Sequence, residues 1–187
     1  MRTDATALPG VLLLSPVVRG DARGSFHEMW QLARYLEAGM PDRWVQDNVS
    51  RSTRGVLRGL HFQHPRAQGK LVSVLMGEIV DVAVDIRLGS PTFGQAVAEV
   101  LSATNARQLY VPAGFAHGFA VLSDEAVVHY KCTEFYAPES ERTVVWNDSS
   151  LRIDWRVTDP ILSHKDAAAP RLSDFGRDEL PRYELTP

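Results

Sequence analysis

The chain has one cysteine, Cys132, in 187 residues. No internal disulfide can form, so the fold must rest on burial, and a reducing compartment is expected. Long apolar runs are also missing. Val11 to Leu14 is too short for the core of a secretory signal and follows Asp4, and no stretch approaches the ~20 apolar residues of a membrane span. The expectation is a cytoplasmic protein without membrane association. An excess of positive charge is absent too: 20 Lys and Arg face 23 Asp and Glu, for a net charge of −3. That balance offers no basic surface for nucleic acid. Gly-x-Gly-x-x-Gly, the usual dinucleotide-binding loop, does not occur. Neither a repeat nor a low-complexity linker divides residues 1–187, so a single domain with a sizeable core is expected.

What is present is period-two alternation. From Glu78 to Arg87, Val80, Val82, Val84 and Ile86 fall on one face and Asp81, Ala83 and Asp85 on the other. Val72, Val74 and Met76 share a face with Lys70, and Val128, Tyr130 and Cys132 share another. Turn signals such as His64-Pro65, Met76-Gly77, Pro112-Ala-Gly114 and Ala137-Pro138 separate the runs. Many short strands at this spacing predict an all-β sandwich or barrel. One helix is predicted from about Glu28 to Glu37, stopped by Gly39. The segment after Asn147-Asp148 reads as loops and short turns laid over the barrel.

Within this pattern, Gly55-Val-Leu-Arg58-Gly-Leu-His61-Phe-Gln63 and Lys70 place an arginine, a histidine and a lysine among apolar residues on predicted strands. Burying that much positive charge is costly unless an anion or a paired group neutralises it. The candidate anion is a ligand, and the candidate base is His61. Gln46 and Asn48 alternate on a strand, where an inward face would read a ligand edge by hydrogen bonds. Arg23 and Glu28 flank an aromatic in Gly20-Asp-Ala-Arg23-Gly-Ser-Phe26-His-Glu28, read either as a solvated loop or as part of a site. Tyr130 and Tyr136 are core tyrosines or, beside a histidine base, proton donors. In Ser163-His-Lys165-Asp166, the Lys-Asp pair is a solvated turn, or a buried Asp166 orients a histidine.

Pro112-Ala-Gly114-Phe-Ala-His117-Gly resembles the second motif of cupins, which sets a histidine inside a small β-barrel. Metal-binding cupins carry His-x-His in their first motif, but here Gln63 follows His61, and Val121 stands where an Asn often closes the second motif. Two histidines, His61 and His117, are fewer than the three or more protein ligands such a metal normally takes, so no metal is expected.

Taken in order, these stretches closely resemble the dTDP-4-dehydrorhamnose 3,5-epimerase family. The match runs through Gly20-Asp-x-Arg23-Gly-x-Phe26-x-Glu28, Gln46-Asp-Asn48, Val56-Leu-Arg58-Gly-Leu-His61-Phe-Gln63 and Gln68-Gly-Lys70-Leu-Val. It continues through Asp81-Val-Ala-Val-Asp85-Ile-Arg87, Ser90-Pro-Thr-Phe-Gly94, Pro112-x-Gly-Phe-Ala-His-Gly-Phe119, Tyr130-Lys, Trp146-Asn-Asp148 and Ser163-x-Lys-Asp166-Ala-Ala-Ala-Pro170. It covers roughly residues 8–173. The resemblance implies a metal-free, cofactor-free cupin jelly roll, usually a homodimer, that acts on a dTDP-linked 4-keto-6-deoxy sugar in dTDP-L-rhamnose biosynthesis and inverts C3 and C5. By the same resemblance His61 is the base, Tyr130 the opposing acid, Asp166 the partner of His61, and Lys70 the neighbour of the C4 oxygen. Arg23, Glu28, Gln46, Asn48, Arg58, His117, Glu141 and Lys165 would line the nucleotide-sugar site, with Tyr136 stacked on thymine.

The chemistry asks for such a set. Both carbons flanking a ketone are weakly acidic, so one base serves both. Charge then develops on the C4 oxygen, where one preorganised donor is typically worth roughly 3–4 kcal/mol. Inversion needs a proton from the other face, and a diphosphate needs fixed cations, for which Arg is suited. One geometrical question stands: Arg58 and His61 are three apart, so a regular strand points them to opposite faces. Either Gly59 marks a bulge or Arg58 arrives around an edge or from a partner subunit. A monoepimerase and a non-catalytic sugar-nucleotide-binding cupin are the alternative readings.

Overall fold

Two antiparallel sheets stack face to face, because alternate residues of most strands are apolar and need a common interior. The structure is a computed structural model and describes residues 1–183. The chain runs β1 (Arg2–Ala5), β2 (Leu12–Ser15), β3 (Arg19–Asp21), β4 (Gly24–Phe26), α1 (Leu32–Glu37), β5 (Gln46–Thr53), β6 (Leu57–Gln63) and β7 (Lys70–Met76). It continues through β8 (Glu78–Asp85), β9 (Ala96–Ser102), β10 (Gln108–Val111), β11 (Phe115–Val121), β12 (Glu125–Cys132), β13 (Glu141–Thr143) and α2 (His164–Ala167). One sheet has the order β1-β2-β10-β7-β12-β5 and the other β13-β6-β11-β8-β9; β3 and β4 form a separate hairpin.

The interior between the sheets is apolar at one end. There Val72 and Val74 of β7, Ala126 and Val128 of β12, and Ile79, Ala83, Phe115, Phe119 and Val121 of the facing sheet pack together. At the other end the same inward faces carry Lys70, Tyr130, Gln46, Asn48 and His61. The outer face of the β6-β11-β8 sheet buries Leu57, Leu60, Phe62, Val80, Val82 and Val84 under Val144, Leu151, Trp155, Leu172 and Leu180. The segment after residue 147 is therefore the cover expected from the sequence. The outer face of the other sheet buries Leu14, Leu71 and Tyr110 under Tyr35 and Met40.

The helix is shorter than the sequence predicts. It begins at Leu32, with the Gln31 side chain capping the Arg34 N–H, and not at Glu28. Glu28 is instead held by Arg34 at 2.7 Å, and the Met29 carbonyl accepts the Tyr35 hydroxyl at 2.7 Å. These bonds hold residues 28–30 outside the helix, with a bend at Met29. Gly39, at φ +85°, ends the helix in the left-handed region that glycine tolerates.

The Arg58–His61 question is answered by a bulge. His117 of β11 opposes His61 while Phe119 opposes Arg58, so three residues of β6 span two of β11. Leu57 and Leu60 accordingly share the outer core, and Arg58 and His61 share the inward face. Gly59 sits at φ +126°, and a Cβ there would lie 2.6 Å from the Gly118 Cα and 2.8 Å from the His117 carbonyl oxygen. Gly59→Ala meets both a glycine-only backbone conformation and a backbone contact, so it should cost about 3 kcal/mol in urea unfolding. A loss below about 0.5 kcal/mol, the range of an ordinary surface change, would show that this crossing does not constrain the strand pair.

Candidate active site

Strand register assembles the site. Opposite-strand partners in an antiparallel ladder point to the same face. Cys132 pairs with Lys70 on one side and Gln46 on the other, and Tyr130 pairs with Val72 and Asn48. Gln46, Asn48, Lys70 and Tyr130 thus form one wall. His61 and Gln63, two apart on β6, form the facing wall. Between them lies a cavity of about 290 Å³ lined by Gln46, Asn48, His61, Phe62, Gln63, Gln68, Lys70, Tyr130, Tyr136 and Glu141.

His61 is anchored from behind. Its Nε2 lies 2.7 Å from Asp166 Oδ1. Asp166 sits on the single turn of α2, whose Ser163 hydroxyl accepts the Asp166 N–H at 3.1 Å. Burial opposes the charge on Asp166, but the His61 hydrogen bond and charge, with Ser163 and the Gly59 N–H, outweigh it and hold the carboxyl below its usual range. The His61 side chain keeps 31% of its exposure while Asp166 keeps 3%, which leaves the far side of the ring open to a ligand.

Lys70 is 8% exposed, and no carboxylate among the described residues lies within ion-pair distance of it. Burial lowers its pKa, opposed by the more distant Cys132, Glu141 and Asp81. A cation in that position favours a ligand oxygen that gains negative charge. Burial likewise raises the Tyr130 pKa, with Cys132 and Glu141 adding to it and Arg58 opposing, so the phenol keeps its proton near neutral pH.

At the rim, Glu141 accepts from Tyr136 Oη at 3.1 Å and pairs with Lys165 Nζ at 2.9 Å. Arg58 faces inward beyond the cavity and donates to Ser52 Oγ at 3.1 Å. His117 does not line the cavity. It lies beside His61 on the neighbouring strand, with Nε2 2.8 Å from Asp81 Oδ1. Arg23 and Glu28 are not brought to the cavity of this protomer. Arg23 is paired with Asp21 on the exposed β3–β4 hairpin, and Glu28 with Arg34 beside α1. Sequence reasoning did not single out Gln63 and Gln68 as site residues; two-residue alternation from His61 was the signal for Gln63. It also did not single out Asp81, which the same alternation puts on the inward face of β8. Among the described residues no three His, Cys, Asp or Glu side chains cluster as a metal ion would require.

The comparisons with known proteins agree with one another. The sequence model described as dTDP-4-dehydrorhamnose 3,5-epimerase matches residues 5–174. The Pseudomonas aeruginosa dTDP-4-dehydrorhamnose 3,5-epimerase is 56% identical over 176 residues, 93% of this chain and 97% of that protein. A Legionella pneumophila dTDP-6-deoxy-D-glucose-3,5-epimerase, solved with dTDP-4-keto-L-rhamnose, superposes with a TM-score of 0.95 at 53% identity, covering 98% of this chain and 99% of that one. A 3′-monoepimerase from Streptomyces bikiniensis, solved with dTDP-quinovose, is more distant, at 35% identity and a TM-score of 0.88 over 95% of this chain and 92% of that one.

Asp166 is favoured in its charged form, so its contribution to stability is full above the ordinary aspartate value of 3.8 and is lost as pH falls through its lower folded value. Asp166→Asn should therefore destabilise the protein at about pH 7 and by a smaller margin at about pH 3, read by urea unfolding. It should also cut kcat by about a hundredfold or more. Equal destabilisation at both pH values, with kcat retained, would remove Asp166 from this role.

Proposed function

The chain belongs to the dTDP-4-dehydrorhamnose 3,5-epimerase family, and on that premise we propose that it converts dTDP-4-dehydro-6-deoxy-D-glucose to dTDP-4-dehydro-L-rhamnose by inverting C3 and C5. One observation carries the reading: a carboxylate-anchored histidine on one wall faces a protonated tyrosine on the other, with the unpaired Lys70 in the same cavity. His61 removes the proton beside the ketone. Lys70 meets the charge that develops on the C4 oxygen, and Tyr130 returns a proton from the opposite face. Once His61 has released its proton to solvent and Tyr130 has taken one up from it, the same pair acts at the second carbon. Arg58 and Lys165 supply charge for the diphosphate, and Tyr136 offers its half-exposed ring to the thymine. No step needs a metal: the side chain of Gln63, where a metal-binding cupin has a histidine, has both ends engaged with backbone.

Double inversion is favoured over single inversion because relatives named as 3,5-epimerases are 39–56% identical, against 34–35% for the monoepimerase. A non-catalytic binder would need neither the His61–Asp166 pair nor Tyr130. In D2O the wild type should place deuterium at both C3 and C5 of product, seen by NMR. His61→Asn should lose at least about 10²–10⁴-fold in turnover. Tyr130→Phe should still exchange substrate hydrogen but form little epimer. Epimerisation by Tyr130→Phe at the wild-type rate would leave the acid to water or another group, and deuterium at one carbon alone would move the protein to the monoepimerases.

The working unit is a homodimer in this proposal. The β3–β4 hairpin pairs with no other strand, and Phe26 on it is 72% exposed, with Val17 and Val18 nearby at 63% and 45%. Such a hairpin suits a partner surface, and it would bring Arg23 and Glu28 to the partner's cavity. Arg23→Ala and His61→Asn proteins, each impaired alone, should then recover about a quarter of wild-type activity when refolded together in equal amounts, because half the dimers are mixed and each holds one intact site. No recovery in a mixture shown to contain mixed dimers would place Arg23 outside the shared site.

A further inference from the structure

Residues 134–137 follow β12 and join no ladder, yet their backbone is held at every residue by a glutamine. Gln68 Nε2 donates to the Glu134 carbonyl at 2.8 Å. Gln63 Nε2 donates to the Phe135 carbonyl at 3.3 Å and to the Arg66 carbonyl at 2.8 Å, while its Oε1 accepts the Ala137 N–H at 2.9 Å. Gln46 Oε1 accepts the Tyr136 N–H at 2.8 Å. The three glutamines come from the start of β5, the end of β6 and the approach to β7, so they reach the loop from three directions.

The loop's apolar side chains give it little purchase: Phe135 and Tyr136 are 51% and 50% exposed, and only Ala137 is buried. Polar bonds therefore set where the Tyr136 ring stands: Glu141 holds its hydroxyl, Glu134 pairs with Arg66, and the amides hold the backbone that carries the ring. Glutamine suits the task because one side chain donates and accepts at once and carries no charge. Glutamate at 63 could accept from Ala137 but could not donate to either carbonyl, and leucine could do neither. Gln63 and Gln68 are 4% and 8% exposed, so water is poorly placed to substitute for them.

We infer that Gln63 and Gln68, with Gln46, are positioning residues that clamp the 134–137 loop and thereby set nucleotide affinity through Tyr136, without contact with the reacting carbons. The inference rests on the proposed stacking of Tyr136 on the nucleobase. A pre-ordered ring binds without first losing loop freedom, so loosening the clamp weakens binding.

The test has two readouts. Hydrogen exchange at the Tyr136 and Ala137 amides should be slow in the wild type and at least about tenfold faster in Gln63→Leu. Calorimetric binding of dTDP should weaken about tenfold in Gln63→Leu, the scale of one lost net hydrogen bond, with the kinetic loss falling on KM more than on kcat. Gln63→Leu/Tyr136→Ala should bind dTDP within about twofold of Tyr136→Ala alone, because both changes act through one ring. Additive losses, an unchanged Kd, or a loss confined to kcat would overturn the inference. Gln68→Met serves if Gln63→Leu does not fold, with the same pattern expected and faster exchange at Phe135 and Tyr136. Wild-type protein that binds no dTDP would sink the substrate reading; the clamp would then stand or fall on the exchange rates alone.

Discussion

Strands β6 and β11 come backbone to backbone where Gly59 meets Gly118, and nearly everything in the site descends from that contact. A Cβ at Gly118 would lie 2.7 Å from the Arg58 carbonyl, as one at Gly59 would lie 2.6 Å from Gly118 Cα. Two glycines let β6 take an extra residue without leaving the sheet. The bulge turns Arg58 inward beside His61 and keeps Leu57 and Leu60 together on the outer face, so one irregularity serves the site and the outer core at once. It also leaves the Gly59 N–H near enough to Asp166 to favour the charged carboxylate.

The sandwich itself suits the stereochemistry of the proposed reaction. A base and an acid that act on opposite faces of one sugar ring must stand across from each other. A two-sheet interior does this if one is carried on each sheet, and His61 of β6 and Tyr130 of β12 meet that condition. The apolar end of the interior, Val72, Val74, Val128 and Phe119 among others, closes the bottom of the cavity and keeps water from the buried Lys70. Removing water strengthens each charge interaction there. An uncompensated ammonium in such a place is costly to folding and is the kind of feature a binding site retains.

Much of this was legible in the chain because period two is a strong signal. Alternation placed Lys70 with Val72, Val74 and Met76, Tyr130 with Val128 and Cys132, and Gln46 with Asn48, and each set shares an inward face except for Met76, which a shift of register pairs with Val127 and leaves 40% exposed. Motif matching added Asp166, 105 residues from His61 in sequence, which no spacing argument could have joined to it. Three things were not legible. The helix starts later than the sequence predicts because Gln31 caps it and tertiary bonds from Arg34 and Tyr35 hold residues 28 and 29 outside it. The bulge was one of two options, since register is set by strand pairing and not by one strand alone. The glutamine clamp was invisible because its bonds go to backbone, which has no sequence signature.

The two histidine–carboxylate pairs differ in a way that favours one of them for the proposed chemistry. His61–Asp166 and His117–Asp81 sit on neighbouring strands with nearly equal separations, 2.7 and 2.8 Å. Their surroundings differ. Asp166 is hydrogen-bonded to His61, its pKa is lowered further by Ser163 and the Gly59 N–H, and it stays charged. Asp81 is fully buried, its Oδ2 has no hydrogen-bond partner, and desolvation raises its pKa against the pull of His117 and Lys70. His117 keeps only 8% side-chain exposure, while His61 keeps 31%. A base must be both oriented and reachable: a fixed anion behind the ring orients it, and an open side of the ring lets substrate approach. Only His61 has both. His117 and Asp81 instead form a buried, hydrogen-bonded pair on the strands next to His61, outside the lining of the cavity.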